Sequence, residues 1–324
     1  MRQSNRNVVR HQKSVFYHVD HNANVDIFKQ ARDLYTRMFI EDASLGVMPI
    51  GGRSRRKDFK VELAPAPTSS VRDLIVYGLA ANLYSYREDL ASTVCEFVQR
   101  SAALICASDR ATYEIVYLEE PDPKRIIGFE LVSIPEEQLL RRRGGTFQIV
   151  SSDIAAEHGT DTKIQFDDGD LVTIEAPVEF RKGLHNMRSG LLRLGQFPLT
   201  GLVLEASQNK IPYDFKAHER AMKLAFVEVV RPVGWNGRGT FNDCVLSYYW
   251  IQREILFERF KIEMREAILA GMNEVLRRVG AKLGFEAQLQ VAGLPTVKDT
   301  KEARTKLLSG EMAFTDVMDV FRLV

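Results

Sequence analysis

The stretch that most constrains the fold of this 324-residue chain is residues 241–279, which contain no proline and no glycine before Gly271. Oppositely charged neighbours four residues apart, such as Arg259 and Glu263, favour a helix. At about 1.5 Å per residue, one helix over this stretch would be about 60 Å long, more than the width of a small domain. Its apolar residues include Tyr248, Tyr249, Trp250, Ile251, Leu256, Phe257 and Phe260. We expect neighbouring copies of the chain to complete their burial.

The composition is that of an ordinary globular protein, with 45% hydrophobic and 27% charged residues. The formal net charge of +1 predicts no obligatory acidic partner. Cys95, Cys106 and Cys244 lack a paired spacing, so we expect small buried side chains in a reducing compartment. No run approaches the ~18 apolar residues of a membrane span, and the basic start MRQSNRNVVRHQK lacks an apolar signal core. We expect a flexible arm there, and a soluble protein made in a cytoplasm without a membrane partner.

The first half of the sequence predicts an α+β fold. Apolar residues recur at helical spacing in residues 25–39, 71–84 and 88–107. A β-rich hairpin follows, with strands at 112–118 and 126–134. Further short strands are predicted at residues 59–63, 147–151, 163–166 and 171–175. We expect the turn at 167–170 to join the last two strands into a hairpin, within a small and mostly antiparallel sheet.

The second half is mainly helical. Helices are predicted at 179–194 and 214–230, on either side of a short segment with one β-like piece at 199–204. After the long helix, we expect a strand at 285–291. Two short helices are then predicted, around residues 301–308 and 311–321.

A glycine-rich stretch, VVRPVGWNGRGT at residues 229–240, separates two of these helices. We expect Pro232 to end the incoming helix, because proline disfavours helix in the residue before it. The glycines predict a mobile loop over residues 231–240. Thr240 or Asn242 is a candidate N-cap for the next helix.

The same glycines could instead hold a phosphate, in a nucleotide- or phosphate-binding α+β protein that uses residues 234–239. Their order is G-x-x-G-x-G, however, and not the dinucleotide-binding G-x-G-x-x-G, and the Gly-Lys-Ser/Thr ending of a P-loop is missing. Residues 216–230 also fit a helix better than the strand that would precede such a loop. A third possibility is an ordinary connection without a ligand.

No catalytic or metal-binding constellation stands out. His18 and His21 are close together and nothing suggests a third ligand, so we expect no metal. Arginines at 141–143 before two glycines are typical of the basic end of a helix. Residues 52–57, GRSRRK, form a non-specific basic patch. We therefore expect neither an enzyme nor a bound cofactor.

The order of these elements resembles the portal proteins of tailed bacteriophages, which form the ring through which DNA enters and leaves the capsid. EFVQRSAALICASDRATYEIVYLEEPDPKRIIGFELVSIPEEQL, residues 96–139, is similar to the wing segment of that family. VAGLPTVKDTKEARTKLLSGEMAFTDVMDVF, residues 291–321, is similar to its C-terminal pattern. The resemblance covers most of residues 71–321, but the chain is short for a portal protein and its candidate clip is minimal.

The resemblance implies a division of the chain into five parts. They are an N-terminal arm and α+β wing (1–177), stem helices (178–230) flanking a short clip (195–213), a tunnel loop (231–240), a long wing helix and strand (241–293), and a helical crown (294–324). The tunnel loop would face DNA in the channel with Arg231, Gly234, Trp235, Asn236, Gly237, Arg238 and Gly239. In that reading the arginines attract phosphate without reading sequence.

The resemblance also implies the function and the partners. They are a homo-oligomeric ring of about twelve copies, non-specific contact with double-stranded DNA, and binding to the major capsid protein, the terminase and head-completion or adaptor proteins. The ring would sit at the capsid vertex of the virion, as the channel for DNA packaging and ejection and the attachment point of the neck and tail. The rival classes are a nucleotide-binding monomer or dimer and a ligand-free adaptor.

Overall fold

The structure is a computed structural model that describes residues 8–15, 34–54, 56–81, 83, 89–121, 123–167, 169–195, 215–239 and 246–321. It mixes helix and strand, as the sequence predicts. The helices are α1 (Leu34–Leu45), α2 (Ser69–Ala80), α3 (Leu90–Ser108), α4 (Ser152–His158), α5 (Val178–Gly195), α6 (Phe215–Val230), α7 (Ser247–Leu283), α8 (Val297–Ser309) and α9 (Phe314–Phe321). The strands are β1 (Val9–His11), β2 (Lys60–Ala64), β3 (Arg110–Pro121), β4 (Lys124–Ile134), β5 (Leu139–Arg142), β6 (Gly145–Ile149), β7 (Lys163–Phe166), β8 (Leu171–Glu175) and β9 (Gln288–Ala292).

The largest sheet is antiparallel and is organised around β3. β3 pairs with β4 in the predicted hairpin, with Ile115 opposite Leu131. β1 and β8 also pair with β3. Tyr113, Ile115 and Leu131 are buried, so one face of this sheet forms the core.

Two smaller sheets make up the rest of the β-structure in the described residues, and they correct the predicted hairpin at 167–170. β7 pairs with β6, whereas β8 pairs with β3, so that turn connects strands of different sheets. β5 and β6 form a hairpin with Arg142 opposite Gly145, so the arginines at 141–143 do not end a helix as expected. Gly145 takes a φ of 123°, which suits glycine at this turn. β2 pairs with β9, so a strand from the N-terminal part of the sequence lies beside one from the C-terminal part.

The basic N-terminal stretch is not wholly a free arm. β1 lies against β3, with Val9 opposite Glu119. Beyond β1, the buried Glu114 carboxylate accepts the backbone N–H groups of Lys13 (2.6 Å) and Ser14 (3.0 Å). The Gln148 amide exchanges two hydrogen bonds of 2.9 Å with the backbone of Val15. Residues 8–15 therefore link the β3 sheet to the β5–β6–β7 sheet.

The core helix is α3, which begins at the N-cap Asp89 and packs against the β3 sheet. Cys95 and Cys106 are buried on it as free thiols, as predicted, and burial raises the pKa of the Cys95 thiol to about 12. α3 is the one helix among the described residues long and apolar enough to cross a membrane. Because 67% of its most apolar window is buried inside the fold, this match is typical of a core helix.

Helices α5 and α6 run antiparallel and pack closely. A Cβ atom on Gly190 would lie 2.7 Å from a methyl group of Val229, and one on Gly183 would lie 2.8 Å from Pro232. The two glycines thus allow the helices to approach. The segment 196–214 between them, with the predicted β-like piece at 199–204, lies outside the described residues.

Helix α7 has 37 residues, which is about 55 Å at 1.5 Å per residue. Gly271 lets it lie close to β8, because a Cβ atom there would be 2.5 Å from the Ile174 side chain. Contrary to expectation, much of its apolar surface is covered within one chain. Ile251, Phe257 and Phe260 are buried, whereas Tyr248 and Tyr249 at its start remain exposed.

The two C-terminal helices pack against the first half of α7. Ile251, Ile255 and Ile262 of α7 form a separate apolar cluster with residues of α8 and α9. α8 begins with a reciprocal capping box between Thr296 and Asp299. After α7, the strand β9 and the two short helices α8 and α9 follow in the order that the sequence predicts.

Candidate functional site

The candidate site is the glycine-rich stretch, of which the structure describes residues 231–239. α6 ends at Val230, two residues before Pro232, as predicted. A turn follows, in which the N–H of Gly234 donates to Val230 O at 3.0 Å. A short 3₁₀ turn then covers Gly237–Gly239. The proposed N-caps Thr240 and Asn242, together with Cys244, lie outside the described residues.

The three glycines adopt positive φ angles: 82° at Gly234, 58° at Gly237 and 77° at Gly239. These are left-handed conformations that glycine adopts without strain. A Cβ atom on Gly234 would lie 2.4 Å from the backbone oxygen of Arg253 in α7. Gly234 therefore serves close packing against α7, and all three glycines hold defined left-handed conformations, which replaces the expectation that they leave this part of the backbone free.

Trp235 is buried between α1 and α6. Its side chain is 2% exposed and its ring lies 5.5 Å, centroid to centroid, from both Phe39 and Phe226. The indole N–H donates to Asp42 Oδ2 at 2.9 Å. The expectation that Trp235 faces DNA is corrected, because its ring is enclosed within its own chain.

Arg253 fixes the stretch to α7. Its guanidinium donates to Trp235 O (2.8 Å), to Asn236 Oδ1 (2.8 Å) and to Val227 O (3.0 Å). Burial lowers the pKa of Arg253. Three acceptors from two segments thus converge on one buried side chain.

Asn236 also bonds a carboxylate of α7. Its Nδ2 donates to Glu254 Oε1 at 2.6 Å. Burial raises the pKa of Glu254, and the bond from Asn236 opposes this rise. Asn236 therefore bridges Arg253 and Glu254, which are consecutive residues of α7.

The two arginines of the stretch have different surroundings. Arg238 donates to Asp42 Oδ1 at 2.8 Å and also bonds Glu41, and both bonds raise its pKa. Arg231 has a mostly exposed side chain and lies 3.4 Å from the exposed Glu228. Both arginines are exposed, but Arg238 is held by two carboxylates, whereas Arg231 has only this weak pair and is the freer of the two to meet an anion.

The geometry disfavours a phosphate at residues 234–239. The N–H groups of Gly234 and Gly239 already donate to the backbone oxygens of Val230 and Asn236. The carboxylates of Glu41, Asp42 and Glu254 border the stretch and would repel an anion. No group of residues suited to hold a metal ion occurs in the part of the chain that the structure describes, and His18 and His21 lie outside it.

The sequence-based reasoning missed Glu41, Asp42, Arg253 and Glu254. Arg253 carried a usable signal, because it lies four residues from both Tyr249 and Phe257 and so shares their helix face. A cation within an apolar stripe needs buried acceptors. Asp42 carried no comparable signal, because its partners are almost 200 residues away.

No protein-family model matches this chain, and no curated protein sequence matches it significantly.

Proposed function

We propose that this chain is the subunit of a portal-type ring, a channel for double-stranded DNA at the vertex of a phage capsid. One observation carries the proposal, which is the path of the chain through α5, α6 and α7. An antiparallel helix pair follows the α+β body in the chain, a tight glycine turn comes next, and a helix of 37 residues then packs across the body and leads to a strand and two terminal helices.

In this proposal each part has a role taken from the portal architecture. The α+β body and α7 form the wing, α5 and α6 form the stem, residues 195–213 form the clip, and α8 and α9 form the crown. The described stretch 231–239 anchors the stem to the wing helix, because Arg253 and Asp42 hold it on both sides. Contact of Trp235 or Arg238 with DNA is no longer part of the proposal, whereas Arg231 stays a candidate.

Exposed apolar side chains support assembly of several copies. Leu246 is 80% exposed and Tyr248 is 48% exposed at the start of α7, and Leu224 is exposed on α6. A head-to-tail contact that closes into a ring would bury such side chains. The partners in this proposal are about twelve copies of the chain, DNA without sequence preference, the major capsid protein, the terminase and the head-completion proteins.

The test is the mass and shape of the purified protein. Native mass spectrometry and negative-stain electron microscopy should show a closed ring of many copies with an axial channel. A stable, well-dispersed monomer at micromolar concentration would contradict the proposal. Hydrolysis of ATP by the purified chain would favour the nucleotide-binding alternative, because the packaging ATPase of phages is a separate protein.

A further inference from the structure

A cavity of about 290 Å³ lies between the first half of α7 and the crown-side helix α8. We name it the α7–α8 cavity. Arg231 is one of its lining residues, while Gly234, Gly237 and Gly239 do not line it. It is therefore separate from the phosphate site that the glycines first suggested.

The α7–α8 cavity is lined by cations, and none of its described lining residues is acidic. The cations are Arg231, Arg253, Arg259, Lys301 and Arg304. Two of them are committed to other groups: Arg253 holds backbone oxygens, and Arg259 pairs with Glu263 at 2.7 Å and with Glu179. These two arginines form part of the cavity wall. Their guanidinium groups are already bound to acceptors of the protein, so they are poorly placed to bind a ligand.

The remaining cations are not committed in this way. The exposed side chains of Lys301 and Arg304 make no hydrogen bond or ion pair with any residue in the described ranges. They are three residues apart on α8 and so share a helix face. Arg231 has only the 3.4 Å contact with Glu228, at the exposed surface. Three cations of the cavity are thus unpaired or weakly paired.

We propose that the α7–α8 cavity binds a phosphate-class oxyanion. A phosphate group offers several acceptor oxygens and up to two negative charges, which matches more than one unpaired cation better than a single carboxylate does. The oxyanion comes either from a free phosphate compound or from the backbone of DNA. The site stands on the cavity and its charges, so it does not depend on ring formation.

The test uses inorganic pyrophosphate and a short DNA duplex as probes on the full-length protein. Pyrophosphate binding is measured by isothermal titration calorimetry, and duplex binding by fluorescence anisotropy at low and high salt. The double variant Lys301→Ala/Arg304→Ala should weaken pyrophosphate binding by at least about tenfold, since it removes two charge-assisted contacts. The matched control is Lys298→Ala, an exposed lysine of α8 that does not line the cavity.

The two probes distinguish the sources. Loss of pyrophosphate binding alone would assign the site to a free phosphate compound, and a parallel loss of duplex binding would assign it to the DNA backbone. Circular dichroism verifies that the variants are folded, and Lys301→Gln and Arg304→Gln singly provide milder changes. The proposal is overturned if the wild-type protein binds neither probe, or if the double variant binds both probes as well as Lys298→Ala does.

Discussion

Trp235 and Asp42 are 193 residues apart in the sequence, and the indole N–H of Trp235 donates to Asp42 Oδ2 across 2.9 Å. The other oxygen of the same carboxylate accepts Arg238 Nε at 2.8 Å. One side chain of α1 thus satisfies both a buried indole and an arginine of the glycine-rich stretch. This pairing fixes the stretch to the body, so its stability should depend on Asp42.

The variant Asp42→Ala should lower the free energy of unfolding by about 1–3 kcal/mol, because it leaves the buried indole N–H without an acceptor. Urea denaturation followed by tryptophan fluorescence measures this change. Asp73→Ala, at an exposed aspartate of α2, is the control and should stay within about 0.5 kcal/mol of wild type. Equal stability of the two variants would show that the bond to Trp235 contributes nothing.

Replacing Gly234 with alanine should destabilise the protein by at least about 2 kcal/mol. The new Cβ would require a positive φ at a non-glycine residue and would collide with the backbone oxygen of Arg253. The sequence alone predicted a mobile loop over residues 231–240, whereas the structure packs Gly234 against α7. Gly144→Ala, where a Cβ meets open space, is the matched control for thermal or chemical unfolding.

Arg253→Leu should cost about 3 kcal/mol of unfolding free energy, since three acceptors would lose their donor. Arg253→Lys should recover only part of this loss, because an ammonium group cannot reproduce the planar fork of a guanidinium. Arg277→Ala, at an exposed arginine on the same helix, should be nearly neutral. If lysine restores full stability in urea denaturation, the geometry of the guanidinium is unimportant.

Glu254 predicts a dependence of stability on pH. Burial raises its pKa in the folded protein above the ordinary value of 4.5, with Glu258 adding to the rise and Lys261 and Arg253 opposing it. The protonated carboxyl is favoured by folding, so its contribution is fully present below about pH 4.5 and is lost as pH rises through the folded pKa. Glu254→Gln keeps an acceptor for Asn236 and cannot ionise.

The difference in unfolding free energy between Glu254→Gln and wild type should therefore move in favour of the variant as pH rises from about 4 to 7. Urea midpoints at several pH values measure it. A difference that stays constant over this range would mean that Glu254 titrates as an exposed carboxyl does.

The exposed start of α7 should matter for assembly more than for folding. Leu246→Ser/Tyr248→Ser should reduce the fraction of protein in rings, as measured by mass photometry, while the urea midpoint of the dissociated chain changes little. Ile149→Ser, at an exposed apolar residue of β6, is the control. Rings that form as readily in the double variant would exclude this surface from the contact between copies.

The sequence predicted those elements whose signal is local. α7, the β3–β4 hairpin and the strands at 163–166 and 171–175 all follow from periodicity and turn residues within a short window. The sheet to which each strand belongs was not predictable in this way. β7 and β8 are neighbours in sequence, yet their partners β6 and β3 lie in different sheets.

The glycine-rich stretch was misjudged for a related reason. Glycines permit both a mobile loop and a tight turn with positive φ, and composition alone does not separate the two. Whether the stretch is a mobile loop or a tight turn depends on the residues that contact Gly234 and Trp235, namely Arg253 in α7 and Asp42 in α1. Burial of Trp235 thus depends on long-range packing that no local pattern encodes.

The link that residues 8–15 make between two sheets has a consequence for the order in which the protein is completed on the ribosome. Ser14 bonds Glu114, 100 residues later, and Val15 bonds Gln148, 133 residues later. At roughly 5–20 residues per second, on the order of 5–25 s passes between the synthesis of these residues and that of their partners. During that time the backbone groups of Ser14 and Val15 lack their native partners, and they can form hydrogen bonds only with water or with other polypeptide chains. Closure of the sheets is therefore a late event, and β1 is exposed to mispairing until β3 has been translated.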